Sequence, residues 1–133
     1  MSERYRRGVD IVSQLAPNTL EQFCTGAVAE VAPDFARMVI EFAFGDIYAR
    51  DTLDLKTREV IAVAALATAG HTEQLRQHVG AALGQGVKRA EIIEILMQCA
   101  IYGGFPKALN ALAHCHDLLA EGDGVSCRSC RHA

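Results

Sequence analysis

The chain has 133 residues and a mass of 14.4 kDa, which fits one folded domain. Hydrophobic residues make up 50% of it, charged residues 22%, and the net charge is −3. This composition excludes a disordered chain, which would be polar and highly charged, and argues against a nucleic-acid binder, which is usually basic. The mean hydropathy of +0.12 is high for so short a chain. We therefore expect some apolar surface to be buried against other subunits.

The sequence predicts neither a membrane protein nor a secreted one. Its longest run without a formal charge covers residues 60–72, which is shorter than the roughly 18 apolar residues of a spanning helix. The first residues lack the apolar core of a signal peptide, so the expected compartment is the cytosol. An odd number of cysteines, five, is not typical of a disulfide framework. Cys24, Cys99 and Cys115 lie in helical patterns and are predicted to be buried thiols.

Apolar residues recur at helical spacing along almost the whole chain, and no alternating strand pattern is sustained. A first helix is predicted over residues 3–15 and a second from about residue 18 to about residue 30. A third helix begins at Pro33, a residue that suits the first helical position. Its inward face is predicted to consist of Phe35, Met38, Val39, Phe42 and Ile47.

The fourth predicted helix, capped by Asp54 and ended by Gly70, is apolar on almost every side over residues 60–69. A helix without a polar face is buried all round. A single chain of this length has hardly any room for such a helix, so this segment predicts oligomerisation.

Three further helices are predicted, beginning near Thr72, Lys88 and Pro106. The middle one is predicted to direct Ile92, Ile93, Leu96, Met97 and Ala100 inward. The fold class is therefore all-α, a single-domain bundle of about six to seven helices.

A cluster of polar residues stands out at the junction of the fourth and fifth predicted helices. His71, Gln74 and His78 follow the spacing i, i+3, i+7 and share one helix face. If the two helices form an antiparallel hairpin around Gly70, Glu59 lies nearer to His78 than to His71. A buried carboxylate requires a partner, so Glu59 and His78 form a pair in one interpretation. In the other, both residues sit at solvated helix positions, because structural ion pairs mimic functional ones.

Four segments, taken together in their order and spacing, resemble the carboxymuconolactone decarboxylase family, which is related to alkylhydroperoxidase D. They begin at Asp54, Glu73, Glu91 and Tyr102 and read DLKTREVIAVA, EQLRQHV, EIIEILMQ and YGGFPKALNA. The resemblance covers roughly residues 33–120. It implies an antiparallel, alkylhydroperoxidase D-like bundle that assembles as a homohexamer, which we favour, or as a trimer, with the site near a subunit interface. The chain then divides into an N-terminal helical segment (1–30), the family-like helical domain (31–122) and a Cys/Arg-rich tail (123–133).

The peroxidase branch of this superfamily uses Glu, then Cys-x-x-Cys, then His. On this chain those positions fall at Glu59, His71, Gln74 and His78, so both redox cysteines are replaced. Peroxide reduction of that kind needs a thiolate and a resolving thiol, so the substitutions favour the decarboxylase branch. A peroxiredoxin-like thiol redox protein and a non-catalytic oligomeric scaffold remain the alternatives.

The resemblance implies a carboxy-lyase that removes CO2 from a small carboxylated lactone in aromatic-compound catabolism. The lactone ring itself can accept the electrons, so no cofactor is expected. His78 is the predicted proton donor, because an imidazole has an ordinary pKa of about 6.5. Glu59 is predicted to orient this imidazole. His71, also assigned to the catalytic set, and Gln74 are candidate donors to the enolate oxygen.

Substrate binding is assigned to further residues on the same basis. Arg50 or Arg58 is predicted to hold the carboxylate that stays on the substrate, and Gln98 to line the pocket. For Gln98, packing at the hairpin turn is the alternative role, and the one that we favour. Helix-end salt bridges are the alternative role for the two arginines. The tail sequence Cys127-x-x-Cys130 is a redox pair, a half-site for zinc, or a segment without a role, which we favour, so no metal is predicted. The predicted partners are a small-molecule carboxylate or lactone and further copies of this chain, with no nucleic acid and no membrane.

Overall fold

The computed structural model describes residues 1–120, and every regular element within them is helical, which confirms the all-α prediction. The elements in chain order are α1 (Glu3–Leu15), α2 (Pro17–Thr25), α3 (Ala27–Val31), α4 (Pro33–Val39), a π-helical segment (Ile40–Tyr48), α5 (Leu55–Ala69), α6 (Thr72–Gly84), α7 (Arg89–Gly103), α8 (Phe105–His114) and α9 (His116–Leu119). None of these helices has the length and apolarity that a membrane span requires. The tail at 123–133, with Cys127 and Cys130, lies outside the described residues.

The hairpin of α5 and α6 positions the polar cluster, and its ends follow from local sequence. The Asp54 side chain accepts a hydrogen bond of 2.8 Å from the backbone N–H of Thr57, which caps α5 as predicted. Gly70 ends α5 with φ of +80°, a conformation that favours glycine. His71, not the predicted Thr72, occupies the N-cap position of α6, because Thr72 already belongs to the helix.

The main core lies between α5, α6, α7 and α8. Its fully buried side chains include Val63, Leu75, Val79, Ile92 and Leu96. The prediction that α7 buries Ile92 and Leu96 is therefore correct. The prediction for Met97 is wrong, because it directly follows Leu96 on the helix and turns away from the core, leaving 52% of it exposed.

A second, smaller core joins α1 to the π-helical segment. Val12 and Leu15 from α1 pack there with Phe44 and with Ala81 from α6. The two helices approach closely at Gly8, where an added Cβ would meet the carbonyl oxygen of Ile40. Residues 1–30 thus contribute directly to the packing around the site.

The π-helical segment changes which residues of the third predicted helix face the core. Backbone bonds of the i→i+5 type, such as Ala49 N–H to the Phe44 carbonyl at 3.0 Å, widen the helical turn. Ala36, Ile40 and Phe44, each four residues apart, are buried, and so is Gly45. The predicted inward face, assigned at a spacing of 3.6, is wrong for four residues that are largely exposed: Phe35, Met38, Phe42 and Ile47.

The second predicted helix is interrupted at Gly26, where extended backbone separates α2 from α3. On α2, Phe23 packs edge-on against Phe44 with ring centroids 6.1 Å apart. The next residue, Cys24, therefore faces outward, and the prediction that it is a buried thiol is wrong. Cys99 and Cys115 are buried, as predicted.

Candidate active site

The hairpin of α5 and α6 brings Glu59 and His78 together. The Nδ1 atom of His78 lies 2.7 Å from Oε2 of Glu59. Glu59 has no solvent exposure, whereas 25% of the His78 side chain is exposed. Of the two arrangements compatible with the sequence, the structure shows the paired one, because Glu59 near the start of α5 meets the far part of the returning helix.

The pairing fixes how the imidazole can act. A carboxylate accepts hydrogen bonds, so at 2.7 Å the Nδ1–H group of His78 is the donor and Oε2 of Glu59 is the acceptor. This leaves Nε2 as the ring nitrogen that can exchange a proton with a ligand. A buried carboxylate also stabilises a protonated imidazole beside it, as the acidic member of a catalytic triad does.

The second oxygen of Glu59 has no hydrogen-bond partner. Oε1 is fully buried, and no donor among residues 1–120 lies within hydrogen-bonding geometry. A small cavity of about 40 Å³ adjoins the pair, lined by Thr19, Glu59, Gln77 and His78 together with apolar residues. A buried polar atom without a partner is unfavourable, so this oxygen requires a donor in the working protein.

A larger pocket of about 760 Å³ opens beside the pair, between α2, α3, the π-helical segment, α5 and α6. Its walls are mainly apolar. Polar side chains are supplied by Gln22, Tyr48, Gln74, Gln77 and His78. Among the described residues that line it, none is Arg, Lys, Asp or Glu, so His78 is its basic group.

The structure places the other predicted site residues differently. Gln74 lines the larger pocket together with His78. His71 is exposed at the start of α6, Arg50 is exposed after the π-helical segment, and Gln98 is exposed on α7. None of these three, nor Arg58, is among the residues that line the pocket within one chain.

Arg58 stabilises the turn that precedes α5. Its guanidinium donates hydrogen bonds of 3.2 Å to the backbone carbonyls of Leu53 and Arg50. It also lies 6.0 Å from the centre of the Tyr48 ring. Arg58 is thus separated from the larger pocket by Tyr48, within range of a weak cation–π contact.

The sequence analysis did not identify Tyr48 and Gln77 as pocket residues. Tyr48 packs against Phe44 with ring centroids 5.2 Å apart and lies on the line of positions four residues apart that faces inward. Burial, and then the negative charge of Glu59, raise the pKa of the Tyr48 phenol above its ordinary range. Gln77 adjoins His78 and follows Gln74 by three residues, a spacing that could have indicated a shared face.

Neither cavity at the pair is lined by a cysteine of the described chain. Cys99 is buried against the carbonyl of Ala64, and Cys115 lies in the main core, where burial raises the pKa of its thiol. Within residues 1–120, no group of three His, Cys, Asp or Glu side chains is placed to hold a metal ion.

Comparison with known proteins places this geometry in a family. A family model described as the carboxymuconolactone decarboxylase family matches residues 33–116. The chain belongs to this family. The matched segment of this carboxymuconolactone decarboxylase family protein contains α5 and α6, and with them Glu59, Gln74 and His78.

Three relatives illustrate the range of the family. The 4-carboxymuconolactone decarboxylase of Acinetobacter baylyi is 26% identical over 93% of this chain and 92% of its own length. An uncharacterised 15.0 kDa protein of Paracoccus denitrificans is 33% identical over 78% of this chain and 79% of its own. A nitrosuccinic acid decarboxylase of Metarhizium robertsii is 28% identical over 56% of this chain and 52% of its own.

Proposed function

We propose that this protein is a cofactor-independent carboxy-lyase for a small carboxylated lactone, with His78 as the proton donor and Glu59 as the residue that positions it. The observation that carries the proposal is the buried Glu59 carboxylate bonded to Nδ1 of a His78 that lines an apolar pocket. Two relatives that bear the name decarboxylase support the same class of reaction.

The reaction needs a place for an electron pair and a source for one proton. When the carbon–carboxylate bond breaks, CO2 leaves and the electron pair delocalises through the ring alkene into the lactone carbonyl. The protonated His78 then delivers its Nε2 proton to carbon, and the neutral imidazole regains a proton from solvent. The Glu59 carboxylate stabilises the positive charge that the protonated His78 carries before it gives up its proton.

The pocket suits the transition state of this reaction. Its apolar walls destabilise the localised charge of the substrate carboxylate more than the charge that is delocalised over the enolate, because a compact ionised group is the more unfavourable one away from water. Gln74 and Gln77 supply amide donors for the enolate oxygen that develops. His71, predicted to join them, is exposed at the start of α6 and does not line the pocket within one chain, so it is left out of the proposed donors.

We also propose that the protein works as a homo-oligomer, a hexamer in preference to a trimer. The helix α5 has apolar residues on almost every side, and one of them, Ile61, is 51% exposed in a single chain. Large apolar side chains are also exposed on α7 and α8, namely Met97, Ile101, Tyr102, Phe105 and Leu109. Since the described lining of the pocket holds no arginine, Arg50 or Arg58 would hold the retained carboxylate from the pocket rim or from a neighbouring subunit.

Release of CO2 from two matched substrates tests the proposed function. One is a carboxylated lactone whose ring alkene is conjugated with the lactone carbonyl, and the other is its saturated counterpart. The unsaturated lactone should be decarboxylated without added cofactor, and the saturated one should not, because it cannot delocalise the electron pair. Equal turnover of both substrates, or none of the unsaturated one, would contradict the proposal.

A further inference from the structure

We propose that Tyr48 is a positioning residue of the site, whose hydroxyl donates a hydrogen bond to Oε1 of Glu59 and thereby sets how tightly the Glu59–His78 pair binds its proton. This inference deepens the proposed function and rests on it for its catalytic meaning. The proposed hydrogen bond involves only Tyr48, Glu59 and His78, so it can be tested without a substrate.

The unpartnered oxygen of Glu59 is the first observation behind the proposal. Oε2 is bonded to His78, whereas Oε1 is buried without a donor in hydrogen-bonding geometry among the described residues. A carboxylate that is fully buried accepts several hydrogen bonds when it remains ionised. The pair therefore lacks one donor, and a side chain close to the pair can supply it.

Tyr48 is the candidate donor that the surroundings favour. It lines the larger pocket beside His78, and it packs in the same small core as Phe44, which lines the small cavity together with Glu59. Two neutral donors, the Thr19 hydroxyl and the Gln77 amide, also line the small cavity and are the alternatives to Tyr48. Arg58, 6.0 Å from the centre of the Tyr48 ring, is engaged with backbone carbonyls.

The packing of Tyr48 supports a fixed phenol. Its ring contacts Phe44, with ring centroids 5.2 Å apart, and lies 6.0 Å from the guanidinium of Arg58. It ends the π-helical segment, whose wide turn directs every fourth residue towards the core. The negative charge of Glu59 raises the pKa of this phenol, which places the two groups in electrostatic contact and keeps the phenol protonated as a donor.

The hydroxyl has a defined effect on the pair. A donor to the Glu59 carboxylate stabilises its anionic form and so weakens the hold of the pair on its proton. A pair that holds its proton less tightly delivers it more readily to carbon. Removing the hydroxyl by Tyr48→Phe should therefore move the proton-binding midpoint of the pair to higher pH.

NMR titration of the His78 imidazole tests the proposal in the full chain. The His78 signal is assigned by its loss in His78→Gln. In Tyr48→Phe the midpoint of this signal should rise by about one pH unit, as expected for one lost hydrogen bond to a charged group. The control is Tyr102→Phe, which removes a hydroxyl from a tyrosine that is 74% exposed on α7, and should leave the midpoint unchanged.

A double-mutant cycle with Glu59→Gln shows whether Tyr48 acts through Glu59. With no carboxylate at position 59, Tyr48→Phe should no longer move the His78 midpoint. The proposal is overturned if Tyr48→Phe leaves the midpoint unchanged, which would assign the Oε1 partner to Thr19, Gln77 or a water molecule in the small cavity. It is also overturned if the shift persists in the Glu59→Gln background. Absence of decarboxylation would refute the proposed function and leave this result standing.

Discussion

Glu59 has one hydrogen-bond partner and no solvent contact, so the free-energy cost of burying its carboxylate is offset mainly by His78. Removing one member of a buried ion pair strands the other charge and costs about 3–5 kcal/mol in comparable cases. Variants that keep a donor at position 78, such as His78→Gln, are therefore preferable to His78→Ala as probes of chemistry.

The pairing could be predicted from the sequence because it needs only a hairpin at Gly70. The unpartnered oxygen could not, because it depends on which donors reach position 59 from other helices.

Asp117 and Arg76 form an ion pair that links α9 to α6. The guanidinium donates to both carboxylate oxygens, at 2.7 and 3.0 Å. The hydrogen bond and charge of Arg76 hold the pKa of Asp117 at about 2. In the unfolded chain an aspartate titrates near pH 3.9, so the native state is stabilised above that pH by a carboxylate that binds protons less readily.

Asp117→Asn should therefore lower the melting temperature at pH 7, and the difference from the wild type should shrink as pH falls from about 4 to about 2. Thermal unfolding followed by circular dichroism between pH 7 and pH 2 measures this. Asp51→Asn, at an exposed position, serves as the control for loss of an aspartate. A difference that is independent of pH would show that the Arg76–Asp117 pair is not the source.

At the scale of elements, the contact between α1 and the π-helical segment rests on two glycines. An added Cβ at Gly8 would meet the Ile40 carbonyl oxygen, and one at Gly45 would meet the Arg4 carbonyl oxygen. The two backbones can approach this closely only where no side chain intervenes. This contact places Val12 and Leu15 against Phe44, next to the small cavity at Glu59.

Gly8→Ala should destabilise the protein by about 1–3 kcal/mol, because the new methyl group forces α1 away from the π-helical segment. Gly80→Ala is the matched control: it lies within α6, and nothing is within 4 Å of its added Cβ. It should stabilise the protein by up to about 1 kcal/mol, because alanine has the higher helix propensity. Urea unfolding measures both, and destabilisation of similar size in the two variants would contradict this account of the contact.

The π-helical conformation of this segment, and hence its inward face, was not predicted from the sequence. The period of 3.6 correctly identifies a helix after Pro33, but a π-helical turn is specified by tertiary packing rather than by local pattern. Phe35 and Phe42 consequently lie outside, and Phe44 and Tyr48 inside. Tyr48 was not assigned to the site for this reason. On α5 and α6, the helical spacing and the family resemblance selected Glu59, Gln74 and His78, but they also selected His71, which does not line the pocket.

At the scale of the whole molecule, the exposed apolar side chains of α7 and α8 predict self-association. Sedimentation or light scattering should give a mass several times the 14.4 kDa of one chain. Phe105→Glu should reduce that mass, because a charge at a residue that is 74% exposed in one chain would be buried against a neighbour. Glu94→Gln, at an exposed position on the neighbouring helix α7, is the control. A wild-type protein that remains a monomer at high concentration would contradict the predicted oligomer.

The central claim is that His78, held by Glu59, delivers the proton in a decarboxylation. The most direct measurement compares CO2 release from the unsaturated carboxylated lactone by His78→Gln and by His71→Gln, the same substitution at an exposed position of the same hairpin. Because general acid catalysis contributes about 10²–10⁴-fold, kcat should fall by at least that lower factor in His78→Gln. It should stay within about threefold of the wild type in His71→Gln. Equal losses in the two variants, or full activity in His78→Gln, would contradict the account.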